Sequence, residues 1–327
     1  MKDIKIVFMG TPDFAVPIFK ALADNYNVVA VVTQPDKRIG RKQILTPTPV
    51  KKVSALYNIP VLQPIKIKEA YQEVLKYKPD IIITCAYGQI IPKELLDYPK
   101  YKCINVHASL LPKLRGGAPI HHAIMDGYDK TGITIMYMDI KMDAGDIISQ
   151  AETTITKDDT LVSLHDRLSE MGKDLLLETL PNIIRGNINP IKQDETKVTY
   201  GYNITKEDEK IDFTRTNIEV DNKVRALNPT PGAYTTINGK RMKVYDVIVS
   251  DRYYATTEPG TIVGFEKNGI RVVAGTKEVI LTDIAIEGKK RCLVKDYLNG
   301  IDKKDLLGVV LKWKKRNKIT KINISYL

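Results

Sequence analysis

An asparagine and a histidine stand two residues apart, Asn105 and His107, at the end of the apolar run CINVH. On an extended strand that spacing puts both side chains on one face. An amide donor beside an imidazole can hold an oxyanion and move a proton, the two needs of acyl transfer through a tetrahedral intermediate. A carboxylate that orients the imidazole would complete such a site. The MDAGD loop offers Asp143 and Asp146, with Asp139 upstream. A plain strand end is the competing reading, because N-x-H there is common. The other histidines invite less. His121 and His122 are adjacent, so a helix turns them about 100° apart and they make poor joint metal ligands. His165 reads as an ordinary helix residue.

These residues need strands to hold them, and the first 110 residues supply a βα rhythm. IKIVFMG (Ile4–Gly10) is a continuous apolar run, as a strand buried on both faces should be. NVVAVVTQ, IPVLQ, DIIITCA (Asp80–Ala86) and CINVH (Cys103–His107) supply further strands, with helical stretches such as Phe14–Asn25 and Lys66–Lys78 between them. This pattern predicts an α/β, Rossmann-like, doubly wound and mostly parallel sheet, whose ligands bind at the carboxyl ends of strands. Asn105 and His107 occupy one such end. The first βα turn is GTPDF, not G-x-G-x-x-G, which argues against a dinucleotide cofactor. TGITIMYM and DIISQAETTI then suggest an antiparallel extension of the sheet, followed by a helix over Thr160–Arg185. Short strands with turn signals after residue 205 predict a small OB-like β-barrel, including a hairpin at Asn268-Gly269, a dipeptide that tolerates positive φ. The expected division is 1–189 for the α/β domain, 190–205 for a polar linker, 206–308 for a basic barrel and 309–327 for a basic tail.

The 327 residues suit two domains better than one. No apolar run approaches the roughly 20 residues needed to span a bilayer, and the start MKDIKIVFMG is a poor signal peptide, so a cytoplasmic protein is expected. Three widely spaced cysteines, Cys85, Cys103 and Cys292, show no metal-ligand spacing and read as inert thiols. The net charge is +11, of which residues 206–327 contribute +8. That asymmetry fits a polyanionic partner or simply the compositional habit of a Lys-rich chain. Lys37–Lys52 (KRIGRKQILTPTPVKK) carries six cations and no acid, as either a solvated loop or a phosphate-binding insertion.

INVHASLLPKLRGGAPI followed by the MDAGD loop resembles the signature of the formyltetrahydrofolate-dependent N-formyltransferases, and within them the members acting on methionyl-tRNA. FMGTPDFA, VVTQPD with GRK and TPTPVK behind it, CAYGQIIP and QDETKVTY fit the same pattern, so the resemblance spans roughly residues 4–308. It implies catalytic roles for Asn105, His107 and Asp143, with 10-formyltetrahydrofolate as formyl donor and no metal. It places the folate against Ser109, Leu110, Leu111 and Pro112 and near Tyr87, Gly88 and Gln89. It implies that the basic loop, with Lys37, Arg38, Arg41 and Lys42, meets the acceptor end of initiator methionyl-tRNA, and a monomer with no membrane attachment is expected. Two departures stand out. Leu114 replaces an aromatic or bulky residue common in the signature, and the chain continues past LLG (Leu306–Gly308) as a cation-rich segment around Trp313. That segment reads as a further tRNA-facing strand or as an untethered end. The competing functions are a formyltransferase for a small amine, such as glycinamide ribonucleotide or an amino sugar, and a non-catalytic tRNA-binding protein. A small amine has no use for the basic loop, and a mere binder none for the Asn/His/Asp set.

Overall fold

Unbroken runs of Ile, Val and Phe fit strands buried on both faces of a sheet, and the computed structural model, which describes residues 3–40 and 42–312, puts them there. The chain forms two compact units, Met1–Ile204 and Thr205–Leu327. In chain order the first contains β1 (Lys5–Gly10), α1 (Val16–Asn25), β2 (Asn27–Val32), β3 (Lys37–Ile39), β4 (Ile44–Thr46), α2 (Pro49–Leu56), β5 (Val61–Leu62) and α3 (Ile67–Leu75). There follow β6 (Ile81–Cys85), α4 (Lys93–Leu96), β7 (Cys103–His107), α5 (Pro119–Met125), β8 (Lys130–Tyr137), β9 (Ile147–Thr154) and α6 (Leu161–Arg185).

Seven strands make one sheet in the order β5-β2-β1-β6-β7-β8-β9. The first five pair in parallel, and β8 and β9 extend the sheet antiparallel. The chain builds outward from β1 to β5 and then returns to β6 on the other side of β1. The order therefore reverses between β1 and β6, the crevice where open α/β sheets take their ligands. α6 opens on a capping box between Thr160 and Ser163 and closes on Gly186 at φ 74°, so each end has a cap for part of its orphan groups. The polar residues after it stay with this unit: Ile191 pairs with Ile147, and Tyr200 bridges to Arg115.

The second unit contains α7 (Asn217–Leu227), β10 (Ala233–Ile237), β11 (Lys240–Ser250), β12 (Ile262–Glu266), β13 (Gly269–Ala274), β14 (Lys277–Ile286), β15 (Cys292–Leu293) and α8 (Val294–Leu298). Its sheet runs β10-β11-β14-β13-β12, with β15 also on β14. Residues 309–312 join its two outer strands: Ile262 N–H donates to Val309 O and Leu311 N–H to Gly260 O, while Lys312 N–H donates to Thr236 O of β10. The first residues of the expected tail thus close the barrel, and 313–327 lie outside the described residues. The basic excess does not sit on the barrel either. Residues 206–308 hold 18 Lys/Arg against 16 Asp/Glu, and six more cations fall between Lys312 and Lys321.

The hairpin expected at Asn268-Gly269 forms, with Glu266 opposite Gly269, but for a different reason. Gly269 is not left-handed. A Cβ there would lie 2.2 Å from Ile280 Cγ2, so the strand needs the space and not the freedom. The left-handed Asn-Gly pair is Asn238-Gly239, at φ 48° and 79°, in the turn between β10 and β11.

Candidate active site

β7 delivers Asn105 and His107 to the end of the sheet beside the crevice, with Asn105 in register with Thr84 of β6 and His107 with Thr134 of β8. The Thr84 hydroxyl donates to Asn105 Oδ1 at 2.9 Å. This fixes the amide's orientation and turns Nδ2, the donor, toward Asp143 Oδ1 at 3.5 Å. His107 is 5% exposed, and its Nε2 lies 3.0 Å from the Leu114 carbonyl. A carbonyl only accepts, so Nε2 carries hydrogen and Nδ1 is the nitrogen left for chemistry. Nδ1 faces Asp143 Oδ2 at 3.8 Å. Both approaches to the carboxylate are at or beyond the length of a good hydrogen bond, and catalytic contacts of this kind often tighten only around substrate. An amide donor and an imidazole nitrogen that face one carboxylate can, once the imidazole is protonated, hold an oxyanion and pass a proton.

The loop carrying Asp143 is held from several sides. Gly116 N–H donates to Asp143 Oδ2 at 2.8 Å. Gln193 Nε2 donates to the backbone carbonyls of both Asp143 and Gly145 at 2.8 Å. Gln193 Oε1 in turn accepts from Arg115 Nε at 3.0 Å and Nη2 at 2.8 Å, and Arg115 also meets Glu195 at 2.8 Å. The Arg115 guanidinium holds Glu195 below the usual carboxylate range. Arg115 is 2% exposed and points inward as a clamp. Asp143 at φ 50° and Leu114 at φ 59° are both left-handed, a strained state for Leu that aims its carbonyl at His107. Leu114 N–H donates to Thr199 Oγ1 at 2.9 Å. Thr84, Gln193 and the inward role of Arg115 were not visible in the sequence; the QDETKVTY motif was the one signal near Gln193, and it came without a role.

The Ser109–Pro112 turn rests on β8 and β9. Thr134 Oγ1 donates to Ser109 O at 2.6 Å and accepts from Leu111 N–H at 3.1 Å, and Gln150 Nε2 donates to Leu111 O at 3.0 Å. Ser109 is itself buried, donating to Lys113 O at 2.6 Å. An open cleft of about 690 Å³ lies along Ser109, Leu110, Pro112, Lys113, Tyr128 and Lys197, but Asn105, His107 and Asp143 are not among its walls. At the end of β6, the left-handed Ala86 (φ 48°) sends the Tyr87 ring into the core, where burial pushes its phenol up to about 12. Gln89 is spent on the start of α3, accepting from Ile67 N–H at 2.8 Å and donating to Pro64 O at 3.3 Å. Gly88, at φ 87°, has no side chain, so the backbone of residues 86–89 is what this segment offers the strand ends. Tyr87 O accepts from Thr11 Oγ1 and Gln34 Nε2 at 3.1 Å each.

Lys37, Arg38 and Lys42 sit on a small exposed hairpin, β3–β4, and Arg41 lies outside the described residues. The hairpin is rooted at Asp36, whose carboxylate takes bonds from Lys51 at 2.7 Å and Gln63 at 2.6 Å and is held below its ordinary range by them. Arg38 donates to Gln43 O at 3.0 Å. Ile39, Ile44 and Leu45 are exposed on it beside the cations. Among the described residues no hydrogen bond or ion pair joins this hairpin to Asn105, His107 or Asp143.

Comparison with known proteins agrees with this layout. The family model described as formyl transferase matches residues 4–180, and that of the formyl transferase C-terminal domain matches residues 203–302. The chain is 54% identical over 313 residues to a methionyl-tRNA formyltransferase of Bacillus subtilis strain 168, covering 93% of this chain and 98% of that protein. It is 53% identical over 312 residues to the Bacillus velezensis protein of the same name, with the same coverage. Among solved structures, an N-formyltransferase from Helicobacter canadensis in complex with folinic acid and dTDP-3-aminofucose shares the fold at a TM-score of 0.66 and 20% identity, over 85% of this chain and 98% of that one. With both family domains matched in order around the Asn105–His107–Asp143 cluster, the chain belongs to the formyl transferase family.

Proposed function

We propose that the protein transfers the formyl group of 10-formyltetrahydrofolate to the α-amino group of methionyl-initiator tRNA, in the cytoplasm and as a monomer. The observation that carries this is the convergence of Asn105, His107 and Asp143 in a chain similar over 93% of its length to proteins named for the reaction. The amine forms a bond to the formyl carbon, the bond from that carbon to the folate nitrogen breaks, and the proton lost by the amine is matched by one gained at the folate nitrogen. Asn105 Nδ2 and His107 Nδ1, when protonated, donate to the oxygen that becomes negative. Removing one such donor typically costs about 10²–10³ in kcat. Asp143 keeps the imidazolium oriented and is placed to relay a proton. The crevice suits the folate because Thr84 holds Asn105 Oδ1 and so turns Nδ2 toward the Asp143 side, and because the turns at Ala86 and Gly88 present backbone there. Ser109–Pro112 form its wall, and Lys37, Arg38, Arg41 and Lys42 take phosphates of the acceptor arm.

A small-amine acceptor is the second reading, since the Helicobacter canadensis protein's title pairs it with an amino sugar nucleotide. The exposed hairpin with Ile39, Ile44 and Leu45 beside its cations favours a macromolecular acceptor. The deciding experiment offers the protein 10-formyltetrahydrofolate with methionyl-initiator tRNA, glycinamide ribonucleotide or dTDP-3-aminofucose and follows which accepts formyl. Formylation of the tRNA is expected; formylation of a small amine alone would overturn the proposal.

A further inference from the structure

Tyr200 and Tyr202 lie two residues apart, and their rings meet on one side of the segment. They lie parallel and offset, with centroids 5.3 Å apart and planes 4° from parallel, and remain 45% and 62% exposed. Their backbone is fixed. Arg115 N–H donates to Thr199 O at 2.9 Å, Gly201 N–H to Arg115 O at 2.8 Å and Ala118 N–H to Gly201 O at 2.9 Å. His122 Nε2 lies 3.1 Å from Tyr202 O. Gly201 sits so close to Pro119 that a Cβ would be 3.1 Å from its Cα, which leaves the tyrosines the outward side. A rigid, solvent-facing pair of parallel rings is an expensive way to build a surface unless something flat covers it.

The ledge stands beside the reacting groups. Arg115 is bonded to residues 199–201, and its neighbour Gly116 gives its N–H to Asp143 Oδ2 at 2.8 Å. Along the backbone, one residue step and one strand spacing, on the order of 10 Å, separate Tyr200 from the Gly116 N–H that holds the carboxylate. Lys197, three residues before Tyr200, is exposed and paired with Asp194 at 3.2 Å, and Lys113 lies over the Tyr128 ring at 5.4 Å, with the Tyr128 hydroxyl 3.4 Å from Thr199 Oγ1. The free α-amine of an amino acid whose carboxyl is esterified to the 3′-terminal ribose of an RNA reaches Asp143 only if the unpaired end of that RNA passes close by. Every base has a stacking face, and an aromatic platform takes it without sequence preference.

We infer that Tyr200 and Tyr202 form a stacking ledge for an unpaired base at the 3′ end of the acceptor RNA, an inference that rests on the methionyl-tRNA reading above. The test compares Tyr200→Leu/Tyr202→Leu and Tyr200→Phe/Tyr202→Phe with the natural protein. The Leu pair should raise KM for methionyl-initiator tRNA about tenfold or more, with kcat, KM for 10-formyltetrahydrofolate and Tm nearly unchanged. The Phe pair should behave as the natural protein, because ring faces and not hydroxyls are used. On initiator tRNA trimmed of its unpaired 3′ nucleotides, the natural protein and the Leu pair should bind equally. An unchanged tRNA KM in the Leu pair, or an affinity gap that survives on the trimmed RNA, would overturn the ledge. So would a joint rise of both KM values with a fall in Tm, which marks a packing role. If the natural protein did not formylate methionyl-tRNA, the function proposed above would fail, while the binding comparison on full and trimmed RNA would still decide the ledge.

Discussion

Gly145→Ala tests whether catalysis depends on where the Asp143 loop rests. A Cβ on Gly145 would lie 1.9 Å from the Tyr137 carbonyl oxygen, a backbone atom of β8 that cannot swing aside, and the contact must open to at least 3.0 Å. The loop therefore lifts by about 1.1 Å or more, and a misplacement near 1 Å can cost about 10²-fold in rate. Gln193 ties the carbonyls of Asp143 and Gly145 to one amide, so the two residues move together and the 3.8 Å approach of Asp143 to His107 is disturbed. The expected result is a kcat lower by about 10²-fold, equivalent to roughly 2.7 kcal/mol of transition-state stabilisation, with KM for the tRNA little changed. Overpacking of this kind also takes about 1–3 kcal/mol from stability, so the assay runs well below the melting transition. Gly186→Ala is the control: that glycine is left-handed at φ 74° with open space around it, so its substitution lowers stability without touching the loop. A Gly145→Ala protein that turns over as fast as the natural one would refute the positional argument.

Thr84→Val removes the hydroxyl that holds Asn105 Oδ1 and lets the amide flip; kcat should drop about tenfold with stability reduced by about 1 kcal/mol, and Thr84→Ser should restore it. Steady-state rates of the three proteins decide this, and a fully active Val variant would show that the orientation is set elsewhere. Asp159, before α6, is pushed up by burial but pulled further down by Arg167, the Thr156 N–H and Ser163, to about 2. A depressed carboxyl stabilises the fold fully above its ordinary value of 3.8 and loses that contribution as pH falls toward 2. Denaturant unfolding of Asp159→Asn should therefore show a deficit of about 2 kcal/mol at pH 7 that closes between pH 4 and 2; a deficit unchanged at pH 2 would contradict the assignment.

The strands that position the chemistry were legible because parallel strands are buried on both faces and leave an unbroken apolar run: β1, β6 and β7 each fall within one residue of the runs IKIVFMG, DIIITCA and CINVH. The shared face of Asn105 and His107 follows from a period of two. Asp143 could not be singled out from Asp139 and Asp146 by spacing alone, because the choice depends on a left-handed turn that brings the carboxylate to the Gly116 N–H. Thr84 was hidden for a related reason. Its pairing with Asn105 is a matter of register between strands 21 residues apart in sequence, and one strand's pattern says nothing about its neighbour's register. Tyr87 and Gln89 show the same limit from the other side: a left-handed Ala86 decides which way their side chains go, toward the core and α3.

The polar stretch after α6 reads as a tether because hydrogen bonds to backbone carbonyls need no periodic apolar pattern. Its contents argue for a different duty. A guanidinium that is 2% exposed is tolerated only where its donors are met, and here Gln193 and Glu195 meet them. Apolar packing would hold this segment as firmly, but it is non-directional and would let the Asp143 loop slide. Hydrogen bonds from one amide to two carbonyls of that loop fix both distance and angle. The segment that looked least structured in the sequence is therefore the one that sets the geometry of the carboxylate, and the same segment carries the exposed tyrosines on its outer side. Placement of the reacting carboxylate and the proposed seating of the RNA end would then depend on a single stretch of backbone, so a change at Gln193 should disturb turnover first and RNA affinity second.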